Sequence, residues 1–381
     1  MDFIMKSRIT TIIMTIIIFL IIVGFILFGI ILFNDFLNDD VASGVQNFVS
    51  TVTSLGKTEE ENITTPGIIE TNIDDLEETP VGENSGEKYE NVVVNDYFYN
   101  QLEETSKIFY RAFESNKENM KTGNYRIDFG DAFSDILNSS GGEEKLGDYY
   151  QSAVETYIYD HPEVFYINVN KMYLNIETTT RGSEVTYNVF INAGNQGSYL
   201  DSAYSSKEQI NTAISEIESV KNQILSQKTG DIYQDIKMVH DYLVDNVEYD
   251  TTISKPNIYN IYGTLVSGSS VCEGYAKSFK YLMDELGIPC VIVIGKGTNS
   301  SGQSENHAWN YVQINEIWYA VDSTWDDPVV IGGGKATLTA RYQYFLKGAK
   351  TMDKDHFPNG QFTEGGKIYE FPELSNYDYA I

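Results

Sequence analysis

Apolar residues recur at three- and four-residue spacing in some stretches of this chain and at two-residue spacing in others, and the change of period lays out its elements. Tyr97 to Met120 carries the helical period. So does Glu144 to Asp160, where His161 and Pro162 force an exit. Ser206 followed by Gln209 is a capping-box pattern opening a helix to about Gln227. Gly230 separates that helix from another at Asp231 to Val247, whose stripe is Ile236, Val239, Leu243 and Val247. Ala276, Phe279, Met283 and Leu286 form the stripe of a helix from Val271 to Leu286. Ser270 and Glu273 are read as its capping box, and Gly287 with Pro289 as its stop. Val164 to Ile176 and Glu184 to Asn192, flanking Arg181 and Gly182, alternate like a hairpin. Cys290 to Ile294 is a short buried strand. His307 to Ile314 and Ile317 to Asp322 form a second hairpin about Asn315 and Glu316. Helices and antiparallel hairpins in separate runs predict an α+β fold.

Ahead of these elements lies Ile9 to Phe33, an apolar run of 25 residues without a charge, long enough to span a bilayer. Lys6 and Arg8 precede it, and Asp35, Asp39 and Asp40 follow. The positive-inside rule therefore makes residues 1–8 a cytoplasmic stub, 9–33 a membrane anchor, and the remainder extracytoplasmic. A cleaved signal peptide, with Val41 to Ser43 as the site, is the alternative. Asn34 to Glu90 holds 14 acidic and 2 basic residues without a sustained apolar period and reads as a disordered acidic linker. A soft boundary near Gly230 divides the rest into a mixed helix and hairpin module, 91–230, and a second domain, 231–381. A net charge of −29 argues against nucleic acid as a partner.

The candidate chemistry sits in the second domain. Cys272, His307 and Asp322 follow one another in the order a thiol acyl-transfer enzyme needs: a nucleophile, a proton carrier, and a carboxylate that orients the imidazole. All three tryptophans of the chain, Trp309, Trp318 and Trp325, lie in the same region. Cys272 falls in the first turn of its helix, where unpaired N–H groups and the positive dipole end favour a thiolate. A two- or four-residue loop centred on Asn315 and Glu316 sets Trp309 opposite Asp322, which makes His307 and Asp322 diagonal neighbours on one face. A three-residue turn would put them on opposite faces. Cys290 lies beyond a helix roughly 22 Å long at 1.5 Å per residue, too far for a disulfide with Cys272.

Other residues carry less. His161 belongs to a proline-fixed turn, His240 flanks a packed helix stripe, and His356 falls in a polar tail. No set of His, Cys and carboxylates has zinc spacing. Gly332 to Gly334 match no phosphate-binding or dinucleotide pattern, so neither metal nor cofactor is expected.

VCEGYAKSFKYLMDELGIPC, NHAWNYV and WYAVDSTWDD, with the preceding KMVHDYLVDNVEYD, resemble the core of the transglutaminase-like superfamily over about residues 232–350. The resemblance implies a papain-like arrangement, a Cys-headed helix packed on an antiparallel sheet that carries His and Asp. It also implies Cys272 as nucleophile, His307 as general base and acid, and Asp322 as orienting carboxylate. Animal transglutaminases place a tryptophan upstream of the nucleophile near the oxyanion, and no Trp here precedes residue 309. Their calcium sites have no readable counterpart, so calcium dependence is not carried over. The Cys272 backbone N–H is the expected first oxyanion donor, with Tyr262 the candidate for the second.

The expectation is a membrane-anchored extracytoplasmic cysteine enzyme that makes a thioester from protein or peptide amides. Hydrolysis is favoured over cross-linking because an external site meets abundant water. The alternative is a catalytically silent surface module that binds peptide or cell-wall material.

Overall fold

The computed structural model describes residues 69–72, 89, 92, 96–300, 302–327, 340–359 and 369–380. The expected anchor at Ile9 to Phe33 lies outside them. Among the described residues no helix is long and apolar enough to cross a membrane.

The first half is built round aromatic packing. Helix α1 (Glu104–Met120) buries Phe109, Tyr110 and Phe113; it starts later than the sequence period indicates, because Tyr99–Gln101 is a separate 3-10 turn. Short α2 (Ser134–Leu137) leads into α3 (Gly142–Asp160). Phe109 meets Phe129 and Tyr150 at ring-centroid distances of 4.9 and 5.5 Å, tying α1 to a strand and to α3. Strands β1 (Ile69–Asn72), β2 (Ile127–Gly130), β3 (Tyr173–Arg181) and β4 (Glu184–Asn192) form one sheet in the order β1-β3-β4-β2, with only β1–β3 parallel. The expected hairpin is β3–β4, but its first strand starts at Tyr173 rather than Val164, since Val169–Lys171 forms a 3-10 turn. Its two-residue turn begins at Gly182, whose φ of 66° suits glycine.

Within 34–90 a few residues have a described place in the fold. Ile69–Asn72 pairs with Asn175–Thr178, and Tyr89 is buried. An edge strand is held by backbone hydrogen bonds and needs no apolar run to announce it.

Helix α4 (Lys207–Leu225) is capped by Ser206, whose side chain accepts from the Gln209 N–H, while Gln209 Oε1 accepts the Ser205 N–H at 2.8 Å. Helix α5 (Ile232–Asn246) is capped by Asp231 and buries Ile236, Val239, His240 and Leu243. Two-residue strands β5 (Glu248–Tyr249) and β6 (Ser269–Ser270) flank α6 (Ile261–Leu265). Helix α7 (Cys272–Leu286) ends at Gly287 with φ 70°, and the Ile288 N–H closes on the Met283 carbonyl at 2.9 Å. It is followed by β7 (Cys290–Thr298), β8 (Ser304–Ile314) and β9 (Ile317–Val321), then α8 (Ala349–Met352) and β10 (His356–Pro358). The second sheet is antiparallel, in the order β10-β7-β8-β9.

Buried Asn310 on β8 donates to the Ala276 carbonyl at 2.9 Å, stitching α7 to the sheet. Elements on both sides of Gly230 pack together: α3 lies on β7, and Glu370 exchanges two backbone bonds with the Gln101 side chain at 2.9 and 3.0 Å. The fold is α+β, with a cysteine at the head of a helix packed on an antiparallel sheet.

Candidate active site

Cys272 is the first residue of α7 and is partly exposed, while Cys290 is buried; both thiols are free. The expected capping box does not form. Val271 is the N-cap, with no side chain bonded to the helix head. Ser270 is drawn instead into β6, where its hydroxyl donates to the Ile258 carbonyl at 3.0 Å and lies 2.8 Å from the Thr264 hydroxyl. Glu273 pairs with Lys277 at 2.5 Å. Tertiary partners thus outcompete the local cap, and the N-cap side chain leaves the amide groups at the helix head unbonded. Gly274 is required by the same packing: a Cβ there would lie 2.1 Å from Ser270 Oγ and 2.6 Å from the Ile258 carbonyl oxygen.

The hairpin brings His307 and Asp322 together. Asn315 and Glu316 both have positive φ, 51° and 67°, which makes a two-residue turn of the primed type and pairs Asn310 with Val321. One step further, the same register sets Trp309 against Asp322, with His307 diagonal to it. His307 Nε2 and Asp322 Oδ2 are 2.7 Å apart, both buried. With Nε2 so engaged, Nδ1 is the ring nitrogen left for the Cys272 sulfur, which is close enough to help raise the imidazole. Trp325 stacks on the His307 ring at 5.1 Å; a Cβ on Gly297 would come within 2.7 Å of that indole.

Burial works against charge on His307, but the Asp322 carboxylate, its hydrogen bond and the Cys272 sulfur outweigh burial and raise the imidazole to about 10. Burial likewise opposes ionisation of Asp322, and the facing imidazoles reverse this and hold its carboxyl well below the usual range. In Cys290, burial pushes the thiol up.

Three residues play parts that the sequence did not announce. His356, on β10, puts Nε2 3.0 Å from the same Asp322 Oδ2 and Nδ1 2.7 Å from Asp355 Oδ1. His240 is buried on α5 as its stripe predicts, and it also bonds Asp326 at 3.1 Å; Asp326 in turn accepts the Tyr344 N–H at 2.8 Å. Asp327 accepts the Tyr275 hydroxyl at 2.5 Å, and burial raises its carboxyl to about 6. The acidic turn after β9 therefore points all three carboxylates inward. Three aspartates around one tryptophan were the signal for this. His356 had none.

His307, Asp322 and His356 bring two imidazole nitrogens and a carboxylate oxygen within 4.8 Å of one another. Zinc accepts such donors, yet ring N–H to carboxylate bonds already engage every one of these atoms.

Tyr262 is withdrawn as an oxyanion donor, since its hydroxyl is committed to Glu216 at 2.8 Å. Tyr259 differs: its hydroxyl is buried and has no hydrogen-bond partner among the described residues. The preceding residue, Ile258, accepts the Val271 N–H at 3.1 Å, which fixes this loop against the head of α7. Burial, then the charges of Glu273 and Cys272, push the phenol up, so it stays a donor at neutral pH.

The model of the transglutaminase-like superfamily matches residues 218–323. Kyphoscoliosis peptidase of Mus musculus is 27% identical over 160 residues, a match taking in 38% of this chain and 24% of that protein. The Homo sapiens protein of the same name is 25% identical over 167 residues, or 39% and 24%. The chain spans about a quarter of the length of these curated relatives. Among solved structures, a TGase aligns over 46% of this chain and 49% of its own, at 16% identity and a TM-score of 0.28. The periplasmic domain of TgpA from Pseudomonas aeruginosa aligns over 37% and 55%, at 16% identity and a TM-score of 0.23. Over residues 218–323, then, this chain carries a domain of the transglutaminase-like superfamily.

Proposed function

We propose that the chain is a cysteine enzyme that cleaves protein or peptide amides through a thioester on Cys272, with His307 and Asp322 as its proton-handling pair. One observation carries this reading: His307 is bonded to the buried Asp322 carboxylate through Nε2, and the Cys272 sulfur at the helix head is close enough to help raise the same ring. The thiolate attacks the amide carbon, and a C–S bond forms. The oxyanion is met by the Cys272 N–H and by the Tyr259 hydroxyl, our choice for the second donor. His307 passes its proton to the leaving nitrogen as the C–N bond breaks. Water, deprotonated by His307, then attacks the thioester, releasing a carboxylic acid and restoring the thiol. An amine in place of water would give a cross-link. Hydrolysis is preferred, in line with the name of the peptidase relatives.

The test is intact-mass analysis of the full chain with a peptide mixture, with and without added amine. An acyl adduct on Cys272, hydrolysed products, and roughly 100-fold slower acylation in Tyr259→Phe are expected. Peptide retained without any adduct would favour the silent binding module.

We further propose that this chemistry takes place outside the cytoplasmic membrane, on the strength of the apolar run 9–33 and its flanking charges. Protease added to intact cells should release the catalytic domain by cutting in the acidic 34–90 stretch. Protection until lysis would reverse the orientation.

A further inference from the structure

Asp322 has more partners than a triad requires. Its Oδ1 accepts the Thr324 and Trp325 backbone N–H groups at 2.9 and 3.1 Å. Its Oδ2 accepts His307 at 2.7 Å and His356 at 3.0 Å. A carboxylate offers about four acceptor sites, and here all are filled by protein, leaving none to recruit water or swing aside.

The second imidazole is itself held rigidly. His356 is fully buried, with Trp325, Tyr344 and Trp309 at ring-centroid distances of 4.4, 4.9 and 5.1 Å. Its backbone pairs with Gly297 on β7. Behind it, Asp355 takes the His356 Nδ1 bond on one oxygen and the Tyr344 hydroxyl, at 2.7 Å, on the other. The Thr298 N–H anchors the Asp355 carbonyl at 2.8 Å. The line of hydrogen bonds runs Asp355, His356, Asp322 and His307, so the ring proposed to serve Cys272 is braced from a strand at the opposite edge of the sheet.

We propose that His356 is a positioning residue for the thiol chemistry. Its Nε2–H fixes the Asp322 carboxylate in the one orientation that keeps the His307 Nε2 proton on Oδ2 and leaves His307 Nδ1 for Cys272. The proposal rests on the catalytic reading of Cys272, His307 and Asp322, and it adds a fourth residue to them.

The test uses the alkylation rate of Cys272 by iodoacetamide in the full chain, which needs no substrate. His356→Leu fills the space but removes the donor. It should slow Cys272 by about 10- to 100-fold, the range for losing one hydrogen bond to a charged group. His356→Gln carries an amide N–H near the position of Nε2 and should restore most of the rate. His356→Asn, whose amide reaches only the position of Nδ1, should not. In proton NMR, the downfield ring N–H resonance that depends on Asp322 should shift in the Leu and Asn variants. If His356→Leu fails to fold, the Gln and Asn pair decides. Equal rates in Gln and Asn, or a wild-type rate in Leu, would overturn the proposal. Wild-type Cys272 reacting no faster than Cys290 would instead strike at the catalytic reading itself.

Discussion

At pH 7 and limiting iodoacetamide, Cys272 is expected to be alkylated on the order of 100-fold faster than Cys290, since the thiolate is the reactive form, burial disfavours it at Cys290, and each pKa unit there is tenfold in its population. Cys272 is partly exposed at a helix head whose N-cap Val271 offers no side-chain bond, and it acts on an imidazole raised to about 10. Cys290 is buried, and burial pushes its thiol up. His307→Ala should slow Cys272 and leave Cys290 alone. The same variant carries a pH signature. Folding raises the His307 value, so the charge interactions of His307 stabilise the native state fully below about pH 6.5. That contribution is lost as the pH rises through about 10. The gap in melting temperature between wild type and His307→Ala should therefore narrow across this window. Peptide mapping after timed alkylation gives the rates, and equal labelling of the two cysteines in the folded protein would refute an activated thiol.

Asp322→Asn should cost up to about 10⁴ in turnover with little loss of fold. The physical reason is a tautomer. An asparagine oxygen can still accept the Thr324 and Trp325 N–H groups, but its NH₂ then faces His307 Nε2 and His356 Nε2. Both rings must present a lone pair there and move the proton to Nδ1. For His356 this is harmless, because a proton on Nδ1 faces Asp355, which can accept it. For His307 it puts a proton where the base must take one from Cys272. Cys272→Ala should abolish turnover and preserve melting, since alanine suits the first helical turn. Turnover of an accepted peptide beside thermal melting checks both variants; full activity in Asp322→Asn would remove the carboxylate from the mechanism.

The limits of sequence reading appear in particular residues. The head of α7 and the β8–β9 hairpin were legible because their signals are local: a helical stripe ending in Gly287, and a turn at Asn315 and Glu316 whose length sets the faces of His307 and Asp322. Ser270 misled because a capping box is a local preference worth roughly 1 kcal/mol, and a buried bond to the Ile258 carbonyl competes with it. Tyr262 misled because its hydroxyl is claimed by Glu216 on a different helix.

Local spacings of two to four residues were enough to specify the helix and the hairpin, and the chain order of thiol, imidazole and carboxylate could be read directly. Long-range packing set the rest: Asp322 serves two imidazoles, Tyr259 holds a hydroxyl without a partner among the described residues, and Asp326 and Asp327 turn inward. His356 lies on a three-residue strand 34 positions beyond Asp322. It is brought there by backbone pairing with Gly297, and such pairing leaves no period in a chain because main-chain groups are alike in every residue.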